Sequence, residues 1–106
     1  MSDRVRITHE ADSQITAIKD YIAQDSPDSA RHWRFQLRER LRSLKSFPDR
    51  HEIAYSAGDV GFDVRHTFFG TYRILYTIRD DSVVIISVRH GARRPLTSDE
   101  VRRLAR

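Results

Sequence analysis

Four residues of this 106-residue chain, Arg65, Arg73, His90 and Arg93, have the types and positions to hold and process an anion. Glu52 and Tyr55 stand shortly before them, within reach of the same region. Cleaving RNA without a metal needs a base for the ribose 2′-hydroxyl, an acid for the leaving oxygen and cations for the charge of the phosphorane. His90 or Glu52 can move the protons, and Arg65 and Arg73 can hold the phosphate. Each also has an ordinary reading: His90 as a hydrogen-bonded histidine at a strand end, Glu52 as a solvated loop carboxylate, the arginines as strand residues with snorkelled stems. For the two proton-transfer residues the ordinary reading is the stronger. For the arginine pair the functional one is.

Other chemistries lack their residues. The chain has no cysteine, so disulfide frameworks, thiolate zinc sites and thiol nucleophiles are excluded. The five histidines, His9, His32, His51, His66 and His90, are scattered, with no pair at metal spacing on a helix. There is no phosphate-cradling glycine loop and no nucleophile elbow. No metal or cofactor is expected. No stretch approaches a membrane span and the first ten residues hold no apolar signal region, so a cytoplasmic protein without membrane partners is expected.

The charge is unevenly placed. Residues 65 to 106 hold nine arginines against Asp80, Asp81, Asp99 and Glu100, a balance of +5, whereas residues 1 to 64 balance ten basic against eleven acidic residues, giving −1 and a total of +4. Only Lys19 and Lys45 are lysines. Arginine is the residue for planar, two-pronged contact with carboxylate or phosphate, so an anionic partner is indicated for the basic half.

The stretch Val64 to Arg94 must position these groups. Its alternating apolar residues and punctuating turns predict strands at Asp63 to Phe69, Tyr72 to Arg79 and Val83 to His90, joined as a meander. Before it, Arg4 to Thr8 reads as a short strand. Thr8 then caps a helix to Gln24 with Ala11, Ile15, Ile18 and Ile22 on one face. Ser26-Pro27-Asp28 starts a second helix running to Phe47, with the stripe Ala30, Trp33, Leu37, Leu41 and Leu44. So short a joint makes the two helices a hairpin. Residues 48 to 62 read as a loop with one extended piece near Glu52 to Tyr55, and Thr97 to Glu100 has capping-box spacing for a terminal helix in a basic tail that ends at Arg106.

Period-two reading assigns faces to the sheet. Val64, His66 and Phe68, with Tyr72, Ile74, Tyr76 and Ile78 and with Val84, Ile86 and Val88, are expected to face the helical hairpin. Arg65, Arg73, Arg79 and Arg89 are then expected together on the opposite face, with Thr67, Thr77 and Ser87 among them. The whole is an α+β fold in a single domain of residues 1–106: β-α-α-β-β-β with a short C-terminal helix, the hairpin packed on one face of an antiparallel sheet.

In order and spacing the chain resembles the ParE/RelE superfamily of bacterial type II toxins, once described as plasmid stabilisation proteins. The resemblance is carried by Thr8-His9-Glu10-Ala11, Ser29-Ala30, Leu44 with Phe47-Pro48, Arg65, Tyr72-Arg73-Ile74-Leu75-Tyr76, and Val84-Ile85-Ile86 leading to Val88-Arg89-His90-Gly91-Ala92-Arg93. It implies the same fold and a partner, a small antitoxin whose C-terminal segment wraps the toxin. It also implies one of two targets. ParE-like members act on DNA gyrase and block replication, with no established catalytic residues to carry over; RelE-like members cleave mRNA on the ribosome with basic residues and a tyrosine, or with a Glu-Arg-His set.

No tyrosine follows Tyr76 and both lysines lie in the helical hairpin, so the lysine-tyrosine chemistry is missing its residues. The other set can be assembled only from Glu52, Arg65 or Arg73, and His90. The expectation is therefore a ParE-like gyrase inhibitor with Arg65, Arg73, Arg89, His90 and Arg93 on the face that meets target or antitoxin. A ribosome-dependent nuclease is the alternative. A non-toxic binding module on the same fold is a third reading.

Overall fold

In the computed structural model, which describes residues 4–105, strand β1 (Arg4–Ile7) leads directly into helix α1 (His9–Ala23). Thr8 makes that switch, its hydroxyl accepting from the Ala11 backbone N–H at 3.1 Å, with Glu10 and Asp12 adding negative charge in the first turn. Ser26 caps helix α2 (Pro27–Ser43) in the same way, accepting from Ser29 N–H at 3.1 Å. Helix α2 stops four residues short of the expected Phe47. The chain instead turns through Leu44–Ser46, and Phe47 takes a left-handed conformation (φ 50°) ahead of a 3-10 turn, Pro48–Arg50. A residue before proline is steered away from the right-handed helical region, so the reversal falls where the chain is already barred from continuing.

Strand β2 (Ile53–Tyr55) and a one-turn helix α3 (Ala57–Val60) occupy the expected loop. Strands β3 (Val64–Phe69), β4 (Tyr72–Arg79) and β5 (Ser82–His90) follow as the expected meander, and helix α4 (Ser98–Leu104) closes the chain with the complete Thr97/Glu100 capping box. Arg106 lies outside the described residues. The strand order is β1-β5-β4-β3-β2. Because β1 runs parallel to β5, the sheet is mixed rather than wholly antiparallel.

The hairpin packs on one face as expected. Ala11, Ile15, Leu37, Leu41 and Leu44 meet Ile74, Tyr76, Val83, Ile85 and Val88. The opposite face is no open arginine surface at its centre: Val64, Leu75, Val84 and Ile86 are buried there beneath Val60, Val101 and Ala105. Two expected face assignments are thus reversed. Both turns are two-residue connections, Gly70-Thr71 and Asp80-Asp81, so Phe69 stands opposite Tyr72, and Arg79 opposite Ser82. Directly opposed residues share a face. Arg65, Thr67 and Phe69 therefore point to the hairpin, while Val64, His66 and Phe68 point away. In β5 the pairs Ile78–Val83 and Tyr76–Ile85 put Val83 and Ile85 on the hairpin side, and a register shift at Leu75/Tyr76 leaves Ile86 as an extra residue before Val88 rejoins that side.

Tyr76 ties this layer to the end of the helical hairpin. Its ring is fully buried, its hydroxyl donates to the Pro48 carbonyl at 2.5 Å, and burial pushes its pKa above the usual tyrosine value. Tyr76→Phe removes only that bond and is expected to lower stability by about 1–2 kcal/mol in urea denaturation. An unchanged midpoint would show that the Pro48 carbonyl finds another donor.

Candidate functional site

The basic end of the sheet is built from two adjacent rungs. One runs Phe68–Arg73–Arg89 on the face away from the hairpin, and the next runs Phe69–Tyr72–His90 on the hairpin side. Beyond β5 the chain folds back. Arg93 N–H donates to the His90 carbonyl at 3.1 Å, and Gly91 N–H donates to Thr71 O at 2.7 Å. A side chain at position 91 would bring its Cβ to 3.1 Å from that same Thr71 oxygen, so the close approach of this turn to the β3–β4 turn calls for glycine. The reversal carries Arg93 and Arg94 over the end of β5, toward Arg89.

The result is a small cleft of about 20 Å³ whose lining includes Arg73, Ser87, Arg89, Arg93 and Arg94, with Tyr55 and Leu96 along one wall. Tyr55 holds that wall by donating to the Leu96 carbonyl at 2.7 Å. Arg73 lies over the Phe68 ring, 5.3 Å from its centre. Burial, and then the charges of Arg93 and Arg94, push the Arg89 guanidinium below its ordinary pKa.

The sequence candidates do not all meet here. Arg73, Arg89 and Arg93 do. His90 borders the cleft, but its ring packs edge-on against Tyr72 at 5.6 Å and its Nδ1 accepts from Ala92 N–H at 3.1 Å, which places the proton of the neutral ring on Nε2. Arg65 is elsewhere: it faces the hairpin opposite Tyr76 and donates to the carbonyls of Asp49 (2.9 Å) and His51 (2.6 Å). Glu52 stands at the β2 edge, its carboxylate 2.8 Å from His66 Nε2. Three strand spacings separate that edge from β5, about 14 Å.

Three residues of this region had not been singled out. Alternation predicts His66 on the hairpin face; it lies instead on the face of Arg73, its ring 5.9 Å from Phe68. Ser87 keeps the arginine face expected of it but is buried there, and Arg94 of the turn joins the lining. The two-residue length of the Gly70-Thr71 turn was the available signal for His66, since it fixes which residues of β3 and β4 oppose each other. Alternation already places Ser87 on the face of Arg73 and Arg89; its burial under the turn that follows β5 has no local signal.

Arg94 is held by Glu100 through two bonds, of 2.8 and 3.1 Å, which fastens the start of α4 beside the cleft. That pairing, with the Thr97 backbone bond, holds the Glu100 carboxyl at about 2, against an ordinary 4.5. A depressed folded-state pKa adds stability that is complete above 4.5 and is lost as pH falls toward 2. An NMR titration of the Glu100 side chain is expected to show its midpoint near 2, and Arg94→Gln should move it upward; a wild-type midpoint near 4.5 would refute the bidentate hold.

Among the described residues no helix is long and apolar enough to cross a membrane. A solved chain from the chromosomal ParDE toxin-antitoxin system of P. aeruginosa shares the fold, with a TM-score of 0.68 at 16% identity, covering 85% of this chain and 95% of that one. Toxin RelE2 of Caulobacter vibrioides is 33% identical over 87 residues, which is 81% of this chain and 92% of the relative. Residues 5–95 match the family described as the ParE toxin of the type II toxin-antitoxin system parDE. Strand order, helical hairpin and these two sequence matches agree, and the chain belongs to the ParE toxin family within the ParE/RelE superfamily of type II toxin-antitoxin systems.

Proposed function

We propose that the chain inhibits growth by binding DNA gyrase through the basic end of its sheet, and that a cognate antitoxin neutralises it by laying an acidic, partly apolar segment over the same surface. One observation carries the choice of binding over catalysis. The arginines converge while the two proton-transfer candidates are kept apart, His90 packed on Tyr72 and Glu52 paired with His66 across the sheet. A cutting site needs acid, base and cation on one phosphate; a binding face needs only the cations. Purified protein added to gyrase and relaxed or supercoiled DNA is expected to block supercoiling or accumulate cleavage complexes. Normal supercoiling with no such complexes would sink the gyrase reading.

A ribosome-dependent mRNA endonuclease is supported by a different observation. Glu52 and His66 form a carboxylate–imidazole pair on the face that also carries Phe68 and Arg73. On this reading His66, rather than His90, moves the proton. Cuts within codons that require ribosomes and vanish in His66→Ala would favour it, and intact transcripts in growth-arrested cells would count against it.

A further inference from the structure

The arginine cleft carries an unresolved debt of charge and hydrogen bonding. Arg73 and Arg89 are directly opposed on neighbouring strands, an arrangement of like charges that is unfavourable by itself. Arg93 and Arg94 add two further cations at its lip. Among the described residues only Arg94 of these four has a carboxylate within ion-pair distance, Glu100 at 2.8 Å. Deeper in, Ser87 is 1% exposed and its Oγ has no hydrogen-bond partner among the described residues; nor has the buried Nε of Arg73. Buried polar atoms are nearly always paired, so an orphaned hydroxyl at Ser87 and an orphaned Nε–H at Arg73, in a cleft where Arg89 and Arg93 also lack a carboxylate among the described residues, point to a missing acceptor.

We propose that this cleft is a binding site for a phosphate monoester dianion. The donors define the class. Guanidinium forks at Arg73, Arg89 and Arg93 and a hydroxyl at Ser87 offer more N–H and O–H groups, from more directions, than the two oxygens of a carboxylate can use, whereas a terminal phosphate presents three oxygens. Ser87 also sets the depth. A group reaching a side chain so fully buried must enter end-on, which suits a terminal or free phosphate and not a diester continuing in both directions. The dianion would separate the opposed Arg73 and Arg89 charges and supply the acceptor that Ser87 lacks. Phe68, 46% exposed and beneath Arg73, stands where the base or sugar of a nucleoside monophosphate could rest. The site falls within the face assigned to partners. Its test uses the purified chain without gyrase, so either reading can fail while the other stands.

Isothermal titration at constant ionic strength, with chloride as the balancing anion, should show saturable 1:1 binding of inorganic phosphate. Adenosine 5′-monophosphate binding at least ten-fold tighter than phosphate would assign a nucleotide's terminal phosphate, and equal affinities a free-phosphate site. Ser87→Ala is expected to weaken binding about ten-fold or more, as loss of one hydrogen bond to a charged group does. Arg73→Gln should weaken it more, and Arg93→Gln, in an exposed turn where misfolding is no concern, should weaken it measurably. Arg38→Gln, on α2, should leave it unchanged. Absence of saturable phosphate binding, equal binding of acetate, or full affinity in both Arg73→Gln and Arg93→Gln would overturn the assignment.

Discussion

Arg65→Met is expected to lower the stability of the protein by about 2 kcal/mol, because its guanidinium bonds to backbone carbonyls are of the charged kind and leave their acceptors unpaired when cut. Arg65 holds the Asp49 and His51 carbonyls and so fastens the chain leaving the helical hairpin to β3. A loss of that size corresponds to a fall of roughly 10 °C in the melting temperature of a domain near 100 residues. Burial, then Arg50, Arg40 and His66, and last Arg65 keep the pKa of His51 below its ordinary 6.5, so near neutral pH the ring is uncharged and the loss is not offset there. Arg65→Lys should be intermediate, since one ammonium cannot reproduce the fork. Urea denaturation of the three proteins decides it: a loss under about 0.5 kcal/mol for Arg65→Met would show that solvent satisfies those carbonyls equally well.

Arg73→Gln should do the opposite, leaving stability nearly unchanged while weakening growth inhibition and target affinity about 30-fold or more. The first half follows from its surroundings. Arg73 has no carboxylate partner among the described residues, its Nε is unpaired, and its rung neighbour is Arg89, so replacing it removes a like-charge contact along with its packing on Phe68. The second half follows from what an unpaired arginine contributes to a partner's acid or phosphate. Truncating one side of a buried charged contact costs about 2 kcal/mol or more in binding, and that is about 30-fold in affinity. Growth curves at matched protein levels, with thermal melts of the purified variant, give both quantities. A variant that melts normally and inhibits at full potency would remove Arg73 from the functional surface.

These two arginines look alike in the sequence: each is the second residue of a largely apolar strand, eight positions apart. Helices, strands and the meander were legible because caps, stripes and turns are local signals. The sides of β3 were not, because Val64-Arg65-His66-Thr67-Phe68-Phe69 offers a plausible apolar set in either frame. Only the register across Gly70-Thr71 breaks the tie. Strand β5 is harder still, since its residues are buried on both faces and a bulge changes frame midway; nothing in Val84-Ile85-Ile86 marks which residue is the extra one. The outer core escaped for a related reason. Val101 and Leu104 promised a small apolar edge, yet what they cover depends on where the chain turns after His90. The candidate site was therefore legible in kind, as arginines at a strand end, and not in membership: Ser87 and Arg94 complete the cleft, and Arg65 leaves it.

Strand β1 pairs in parallel with β5, Arg4 against Ser82 and Ile7 against Ile85. Strand β1 thus waits for β5 before it finds its place, and pairings so distant in sequence are slow to close. At about 5–20 residues per second, synthesis from β1 to β5 takes on the order of 4–15 s, and throughout that interval the sheet lacks its edge. The surface at the end of β5 arises in the same closing moments. A nascent chain that has not yet passed β5 therefore carries neither finished face, and whatever potency the domain has waits on that strand.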